Sequence, residues 1–360
     1  MYGQTNDRQV QLVGMQVEEE FKQLLDWSQS RFAQLPWRID RTSYSTLVSE
    51  LMLQQTTVAT VIGHYSKFLQ KYPTIHDLAR ASEEDILIAW KGLGYYRRAR
   101  LLHRAARDFV KTFSGAIPTE LDQLVEIAGI GEYTASALRS IGHDLPALAV
   151  DANVARVLSR YHSGILNPTI NRDLRETLYK FYQGYLSGLS SRALNEALMD
   201  LGRTLCTAHK KLCEECPLKA NCRAQLLPDD FSMKKPSQEK FNLHLVRVLV
   251  VRGNKILTIK RTLGQWLEGQ RELPSFLAMS DDKKLKQYPK WPMKSDYKKW
   301  PCFSTSITKY RIKNYIFRCT WQEYQQIFMK PSVKLEWVDR QVEKSNLSTA
   351  SIKASSISCR

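Results

Sequence analysis

The sequence predicts two folded domains, an all-helical N-terminal half followed by a domain of mixed α+β structure. Three observations predict this fold class: a length of 360 residues, helical spacing of apolar residues from Glu18 to Arg223, and β-rich segments after residue 240. This length exceeds one typical domain, and a composition of 43% hydrophobic and 25% charged residues is that of an ordinary globular chain.

The helical half shows its periodicity best between residues 46 and 72. In TLVSELMLQQTTVATVIGHYSKFLQKY, apolar residues such as Leu47, Leu51 and Tyr65 recur at helical intervals. Further on, EIAGIGEYTASAL places Gly129 and Gly131 between two helical patterns. Glycines there would let the backbone and a helix N-terminus approach a DNA phosphate. The alternative is a turn that only packs two helices together, which would use the same glycines.

The second domain begins after LPDDFSMKKPSQEK, a polar segment with two prolines. The pattern then changes to HLVRVLVVRGNKILTIKR, whose two β-rich runs flank Gly253 and predict a strand hairpin. We therefore expect a tail at 1–17, a helical domain at 18–230, a linker at 231–242 and an α+β domain at 243–345. The serine-rich residues 346–360 are predicted to be a disordered tail.

The positive charge of the chain is unevenly distributed. Residues 1–230 contain 27 Lys and Arg against 26 Asp and Glu, whereas residues 231–360 contain 26 against 10. This asymmetry indicates that the C-terminal region binds a polyanion, with nucleic acid as the leading candidate. A solvated lysine-rich surface is the alternative.

Four of the seven cysteines, Cys206, Cys213, Cys216 and Cys222, follow the spacing C-x6-C-x2-C-x5-C. The N-terminus lacks a basic stretch followed by an apolar core, so we expect an intracellular protein, in the cytoplasm or nucleoid if it is bacterial. Clustered cysteines in a reducing compartment bind metal more often than they form disulfides. One compact knuckle with flanking cysteines favours an iron–sulfur cluster, with zinc or buried free thiols as alternatives.

Two carboxylates are candidate catalytic groups. Glu50 lies on an apolar-rich helix, where partial burial would raise its pKa and favour the protonated acid. Asp151 precedes a helical run in VDANVARVLSR, and by its position alone it is a helix N-cap. In GLGYYRRAR, Tyr95 and Tyr96 could stack on bases while the arginines meet phosphates, or they form a structural aromatic pair on a solvated basic helix.

The glycine hairpin, the aspartate of VDANV and the cysteine spacing, in that order, resemble the helix-hairpin-helix DNA glycosylases that carry an iron–sulfur loop. LPWR, SELMLQQT, GLGYYRRAR and NEALMDLG resemble the MutY-type adenine DNA glycosylases in particular, over about residues 18–223. The resemblance implies a monomeric base-excision-repair enzyme. Its substrate would be double-stranded DNA that contains adenine paired with 8-oxoguanine or guanine. The enzyme would hydrolyse the N-glycosidic bond of that adenine and release the base.

The resemblance also implies a role for individual residues. Glu50 would protonate adenine, Asp151 would stabilise the cationic sugar, and Tyr133 and Asn153 would orient them. The four cysteines would hold a 4Fe–4S cluster in the loop 206–222. The implied substrate-binding residues are Leu35, Trp37, Arg38, Gln55, Thr56, Leu93, Tyr95, Gly129, Gly131 and Glu196.

Tyr133 separates this interpretation from its nearest rival. Relatives of endonuclease III carry a lysine there, whose amine forms a Schiff base and permits strand cleavage. With Tyr133 the resemblance implies a monofunctional enzyme that leaves an abasic site. A glycosylase/lyase and a catalytically inactive iron–sulfur DNA-binding protein are the alternatives.

The C-terminal half resembles the Nudix-like domain by which these glycosylases recognise 8-oxoguanine. The similarity lies in the segment around Glu272, Leu273 and Pro274, whereas the acidic helix required for pyrophosphate hydrolysis is absent from residues 281–300. Thr308 falls at the position that reads the lesion, and Lys309 replaces a histidine of the family. We therefore expect a domain that recognises DNA and does not hydrolyse nucleotides.

Overall fold

The computed structural model describes residues 4–165, 168–225, 227, 240–262, 264–328, 334–340 and 346–357, with side chains from residue 15 onward. The chain forms two compact units. The first unit comprises Met1–Ala81 and Arg97–Lys234, and the second comprises Ser82–Tyr96 and Lys235–Arg360. A short segment from the helical half of the sequence thus belongs to the second unit. Residues 231–239 of the predicted linker lie outside the described residues.

The α-helices follow one another along the first three-fifths of the chain, with two more near the C-terminus. They are α1 (Gln4–Phe32), α2 (Ser43–Leu53), α3 (Val58–Lys71), α4 (Ile75–Arg80), α5 (Glu83–Ala89), α6 (Arg97–Phe113), α7 (Leu121–Val125), α8 (Glu132–Ala137), α9 (Ala152–Ser163), α10 (Arg172–Tyr185), α11 (Ser191–Thr204), α12 (Trp321–Phe328) and α13 (Thr349–Ile357). The strands are β1 (Phe241–Leu249), β2 (Val251–Arg252), β3 (Lys255–Lys260), β4 (Arg271–Glu272), β5 (Ser275–Ser280), β6 (Cys302–Ile307), β7 (Tyr310–Arg318) and β8 (Leu335–Asp339).

The first unit is helical, as its periodicity predicts. Local signals begin several of its helices: at α2 the side chain of Thr42 accepts from the backbone N–H of Ser45, and the Ser45 hydroxyl accepts from the backbone N–H of Thr42. Apolar faces of α1, α9, α10 and α11 pack around fully buried residues such as Phe21, Leu158 and Leu198. This core places the N-terminus of α9 beside α11.

The glycine turn lies between α7 and α8. Gly129 has φ +89°, and a Cβ there would come within 2.9 Å of Leu101 Cβ on α6, so glycine is required. Gly131 is the N-cap of α8, and a Cβ added to it would meet no atom within 4 Å. The hairpin predicted from the sequence is therefore present, with an open approach to the backbone at Gly131.

The second unit contains two sheets. One has the strand order β5-β1-β7-β6, with β1 and β7 parallel and the other pairs antiparallel. The other joins β2, β3 and β4, with β8 paired to β3. Val251 pairs with Ile256 across the hairpin that the sequence predicts around Gly253, which has φ +57°. The mixed sheet and the helix α12 confirm the α+β class.

The chain ends contain helices that the sequence analysis did not predict. The predicted N-terminal tail 1–17 is helical from Gln4, where α1 begins, and Val17 is buried in the core. The predicted disordered tail 346–360 contains α13, since Leu347, Ala350 and Ala354 recur at helical spacing and are buried. Residues 358–360 lie outside the described part of the chain.

No helix of the described residues is both long and apolar enough to cross a membrane.

Candidate active site

A cavity of about 820 Å³ opens in the first unit, a size typical of ligand sites. It is bounded by the 3-10 turn Pro36–Arg38, α2, α8, α9 and α11. Ten residues predicted from the sequence to be catalytic or to bind substrate line it. They are Leu35, Trp37, Arg38, Glu50, Gln55, Thr56, Tyr133, Asp151, Asn153 and Glu196.

Glu50 occupies the buried wall of this cavity near the end of α2 and is 6% exposed. Its Oε2 accepts a hydrogen bond of 2.6 Å from the hydroxyl of Tyr133. Burial raises the pKa of Glu50 to about 7, the Tyr133 hydrogen bond opposes that rise, and the negative charge of Asp151 adds to it. Glu50 is therefore a carboxyl group that is partly protonated at neutral pH.

Asp151 is the N-cap of α9, as its position in the sequence predicts. Its Oδ1 accepts 2.8 Å hydrogen bonds from the backbone N–H groups of Asn153 and Val154, and its Oδ2 accepts one of 2.8 Å from Asn153 Nδ2. Burial raises the pKa of Asp151, and these three donors oppose that rise because they favour the charged form. The same geometry serves as a helix cap and as a preorganised anion.

Asn153 is held in turn by two features that sequence reasoning missed. Arg156 Nη2 donates to Asn153 Oδ1 at 2.8 Å and to the carbonyl of Gly202 at 2.6 Å, and its Nε donates to the carbonyl of Cys206 at 2.8 Å. A Cβ at Gly202 would lie 2.5 Å from Asn153 Cβ, so only glycine fits there. The spacing Asp-x-Asn-x-x-Arg is the one local signal of this arrangement.

Arg38, Glu196 and Asp200, which also line the cavity, form a buried charge network with Arg41. Arg41 Nη2 lies 2.5 Å and Arg38 Nε 3.3 Å from Glu196 Oε1, and Arg38 Nη2 lies 2.8 Å from Asp200 Oδ2. Burial raises the pKa of Glu196, while Arg38 and Arg41 oppose it. Sequence reasoning identified Arg38 and Glu196 but missed Arg41 and Asp200, whose partners are distant in the chain.

Comparison with known proteins decides the family. Residues 48–179 match the model of the HhH-GPD superfamily base excision DNA repair protein. The chain is 32% identical over 285 residues to the adenine DNA glycosylase of Buchnera aphidicola subsp. Baizongia pistaciae (strain Bp), a match that covers 78% of this chain and 76% of that protein. The chain belongs to the adenine DNA glycosylase family.

Other relatives match mainly the first unit. The adenine DNA glycosylase of Rattus norvegicus is 40% identical over 212 residues, which cover 56% of this chain and 41% of that protein. The chain thus spans less than half of the rat relative's length in this match. A solved structure of a thermostable thymine-DNA glycosylase has 27% identity and a TM-score of 0.53, covering 59% of this chain and 98% of that one.

The rim of the cavity in this glycosylase-family chain contains Gln55, which is exposed with φ +55°. Thr56 Oγ1 accepts a 2.9 Å hydrogen bond from Arg98 Nη2. Arg98 also donates to the carbonyls of Leu51 and Met52 at 2.7 and 2.8 Å, at the C-terminal end of α2. The expectation that Arg98 meets phosphates is wrong, because its guanidinium is buried as a helix C-cap.

Three predicted substrate-binding residues of the family belong to the second unit. Tyr95 is 55% exposed with φ +45°, whereas Leu93 on the same turn is 4% exposed. Of these two predicted substrate-binding residues, Tyr95 presents its side chain to solvent. Thr308 is exposed in the turn between β6 and β7 with φ +49°.

The four clustered cysteines line one small apolar pocket together with Arg160. Arg160 Nη1 lies 3.2 Å from Cys206 Sγ, and burial raises the pKa of Cys216 to about 12. Thiolates at such sites need a cationic centre beside them. Among the described residues, no group of three or more His, Cys, Asp or Glu is arranged to hold a metal ion. Four thiols that line one pocket provide the four-cysteine donor set that a 4Fe–4S cluster requires.

Proposed function

We propose that the protein is a monofunctional DNA glycosylase that hydrolyses the N-glycosidic bond of adenine paired with 8-oxoguanine or guanine, leaving an abasic site. The observation that supports this most is the pairing in one cavity of Glu50, whose pKa burial raises to about 7, with Asp151, whose carboxylate accepts three hydrogen bonds. Membership of the adenine DNA glycosylase family supports the choice of base. The cavity is large enough for a single base that has left the DNA stack.

Glu50 acts as the general acid. Its protonated form donates a proton to the adenine ring while the bond to the sugar breaks, so the bonding electrons leave with a neutral base. With a pKa of about 7, a substantial fraction of Glu50 is protonated at neutral pH, and the group is still acidic enough to transfer its proton. Tyr133, whose pKa is raised well above its usual value by burial and by both carboxylates, stays protonated and orients Glu50.

Asp151 acts as the anion. Loss of the base leaves positive charge on the sugar, and a carboxylate already held by three donors stabilises it without reorganising. Water then adds to the sugar carbon and gives up a proton to the Glu50 carboxylate, which restores the acid and completes the hydrolysis. Because Tyr133 stands where lyase relatives have an amine, no Schiff base forms and the strand stays intact.

The remaining residues bind DNA and its lesion. Arg38 and Glu196 line the adenine pocket, Gln55 fills the gap left by the base, and Gly131 lets a phosphate approach the N-terminus of α8. Tyr95, on an exposed turn of the second unit, stacks on a DNA base. The second unit serves as the Nudix-like reader, with Thr308 in its exposed turn. The enzyme acts as a monomer, and the cluster it would bind at Cys206, Cys213, Cys216 and Cys222 shapes the loop that they close.

Purified protein incubated with defined duplexes tests this proposal. Adenine release from A opposite 8-oxoguanine and A opposite guanine, with strand breaks only after alkali, is the expected result. Strand breaks without alkali would establish a glycosylase/lyase, and absence of adenine release from both duplexes would leave a DNA-binding protein. The purified protein should also contain iron and sulfide near a 4Fe–4S ratio, and zinc alone would refute the proposed cluster.

A further inference from the structure

Helix α6 carries a row of cations on one face. Arg97, Arg100, Arg104, Arg107 and Lys111 are spaced by three or four residues, and at 100° per residue they fall within an arc of about 80°. We call this row the α6 cationic face. The other side of α6 is apolar and fully buried, at Leu102, Ala105, Ala106 and Phe109. The cations therefore point away from the core of the first unit.

The side chains of the α6 cationic face are accessible. Arg97, Arg104, Arg107 and Lys111 are exposed and Arg100 is half-buried. Among the described residues, no carboxylate lies within ion-pair distance of Arg104, Arg107 or Lys111. Other exposed cations of the first unit do have such partners, as in the pairs Arg172–Glu176 at 2.9 Å and Arg80–Asp77 at 3.1 Å.

This arrangement opposes the stability of the helix. Like charges three and four residues apart repel each other, and Arg97 adds positive charge to the first turn, where the helix dipole disfavours it. Asp108 is the one carboxylate near the row in sequence. Residues 1–230 contain 27 Lys and Arg against 26 Asp and Glu, so they carry almost no net charge as a whole. The positive charge on this face of α6 is therefore a local excess. Arg104, Arg107 and Lys111 repel one another and have no carboxylate partner among the described residues, which fits a polyanion that supplies one.

The row starts next to the candidate active site. Arg98 fastens the beginning of α6 to the C-terminal end of α2 and to Thr56, which lines the cavity. Leu101 packs against Gly129 of the hairpin. From Arg97 to Lys111 the helix rises roughly 21 Å, which equals about six base-pair steps of B-form DNA. A duplex engaged at the cavity therefore has backbone within reach of the row.

We propose that the α6 cationic face binds the phosphate backbone of the duplex that flanks the target adenine, extending the DNA interface of the first unit beyond the cavity. The proposal rests on the proposed function in that it takes duplex DNA as the substrate. It assigns Arg104, Arg107 and Lys111 to binding affinity and not to base recognition, because phosphate contacts are the same for every sequence.

The test compares two triple variants of the full chain that lose the same charge. Arg104→Gln/Arg107→Gln/Lys111→Gln alters the α6 cationic face, and Arg80→Gln/Arg172→Gln/Lys180→Gln removes three exposed cations elsewhere in the first unit. Affinity for a duplex with ordinary A:T pairs is measured against salt concentration. Each lost phosphate contact should reduce the slope of log affinity against log salt by about 0.9, so the α6 variant should lose about two to three units and the control less than one.

Further measurements keep the proposal separate from folding and from catalysis. Relief of like-charge repulsion should leave the melting temperature of the α6 variant unchanged or raised. On a second duplex that contains a single A:G mispair, shortening the flanks on one side of the mispair at a time should abolish the difference between this variant and wild type on one side only. Equal salt slopes for the two variants would overturn the proposal, because the α6 cationic face would then contribute no more to DNA binding than cations elsewhere in the first unit. The salt-dependence measurement uses a duplex without a mispair, so it does not depend on adenine release. Absence of adenine release would therefore contradict the proposed function but not the proposed role of the α6 cationic face.

Discussion

Glu50 and Asp151 line the same cavity and burial raises the pKa of both, but they accept different numbers of hydrogen bonds. Glu50 sits inside an apolar helix face at 6% exposure and receives a hydrogen bond from Tyr133, so burial dominates and raises its pKa to about 7. Asp151 caps α9 and receives three hydrogen bonds at 2.8 Å. One carboxyl group is kept available as an acid, and the other is supported as an anion.

In the proposed mechanism, this difference lets one cavity carry out both halves of a glycosidic cleavage. Burial raises both pKa values, and three donors favour the charged form of Asp151 where Glu50 has one. The donors come from distinct elements: Tyr133 from α8 for Glu50, and the N-terminus of α9 with Asn153 for Asp151. Changes to these supporting groups should therefore affect one carboxyl group and spare the other.

The largest effect is expected from Glu50→Gln. An amide keeps the shape and accepts from Tyr133, but it has no proton to transfer, so single-turnover adenine release should fall by about 10²–10⁴-fold. Affinity for the mispaired duplex should stay within a few-fold of wild type. Near-normal release by this variant would contradict the acid role, and a loss of affinity equal to the loss of rate would show a binding role instead.

Gly202→Ala should disturb the other carboxyl group. The new Cβ would lie 2.5 Å from Asn153 Cβ, so Asn153 must move and withdraw its side-chain hydrogen bond from Asp151. We expect the release rate to drop by about 10²-fold, the scale seen for the loss of one donor in a preorganised site. Gly184→Ala, in α10 with no atom within 4 Å of the new Cβ, is the matched control and should keep full activity. Equal release rates for both variants would show that the packing of Asn153 against Gly202 does not support Asp151 in catalysis.

The raised pKa of Glu50 should also appear in stability. An unfolded-state pKa near 4.5 and a folded-state pKa near 7 mean that the folded protein holds a proton which the unfolded chain has lost. The free energy of unfolding therefore falls as pH rises from 4.5 to 7, by about 3 kcal/mol for this group. Chemical denaturation of wild type and Glu50→Gln across this range should show that the variant lacks this part of the slope. Parallel stability curves would mean that Glu50 is not held in the protonated form.

A smaller effect is expected from Tyr133→Phe. Its hydrogen bond favours ionised Glu50, so removing it should raise the pKa of Glu50 further. The release rate would then decline at a higher pH than in wild type, with a modest change in its maximum. A decline that moves to lower pH would show that Tyr133 destabilises the carboxylate.

Sequence reasoning identified the parts of the site that local patterns encode. Helical periodicity located Glu50, the glycine turn located Gly129 and Gly131, and the capping position located Asp151, and all of these lie as expected. What it missed depends on contacts between residues far apart in the chain. Arg41 meets Glu196 across 155 positions, and Arg38 meets Asp200 across 162. Such pairs leave no periodic signal.

The misjudged segments have a different cause. Residues 346–360 are rich in serine, and composition hid the helical spacing of Leu347, Ala350 and Ala354. Their hydroxyls are satisfied locally, as Ser348 and Ser351 show at 2.8 Å. Arg98 looked like its exposed neighbours, since only the fold reveals that its guanidinium faces the end of α2. In both cases the cause is burial, of the apolar residues of α13 and of the Arg98 guanidinium, which amino-acid composition does not specify.

The pH dependence of single-turnover adenine release tests the central claim most directly, because it reports both carboxyl groups in one experiment. If Glu50 reacts as the acid and Asp151 as the anion, the rate should decline as pH rises through about 7 and Glu50 loses its proton. It should also decline at low pH as Asp151 becomes protonated, and Glu50→Gln should abolish the alkaline decline together with most of the rate. A rate that instead rises through pH 7 and stays high at pH 9 would show that Glu50 works as a carboxylate, and the proposed division of roles would be wrong.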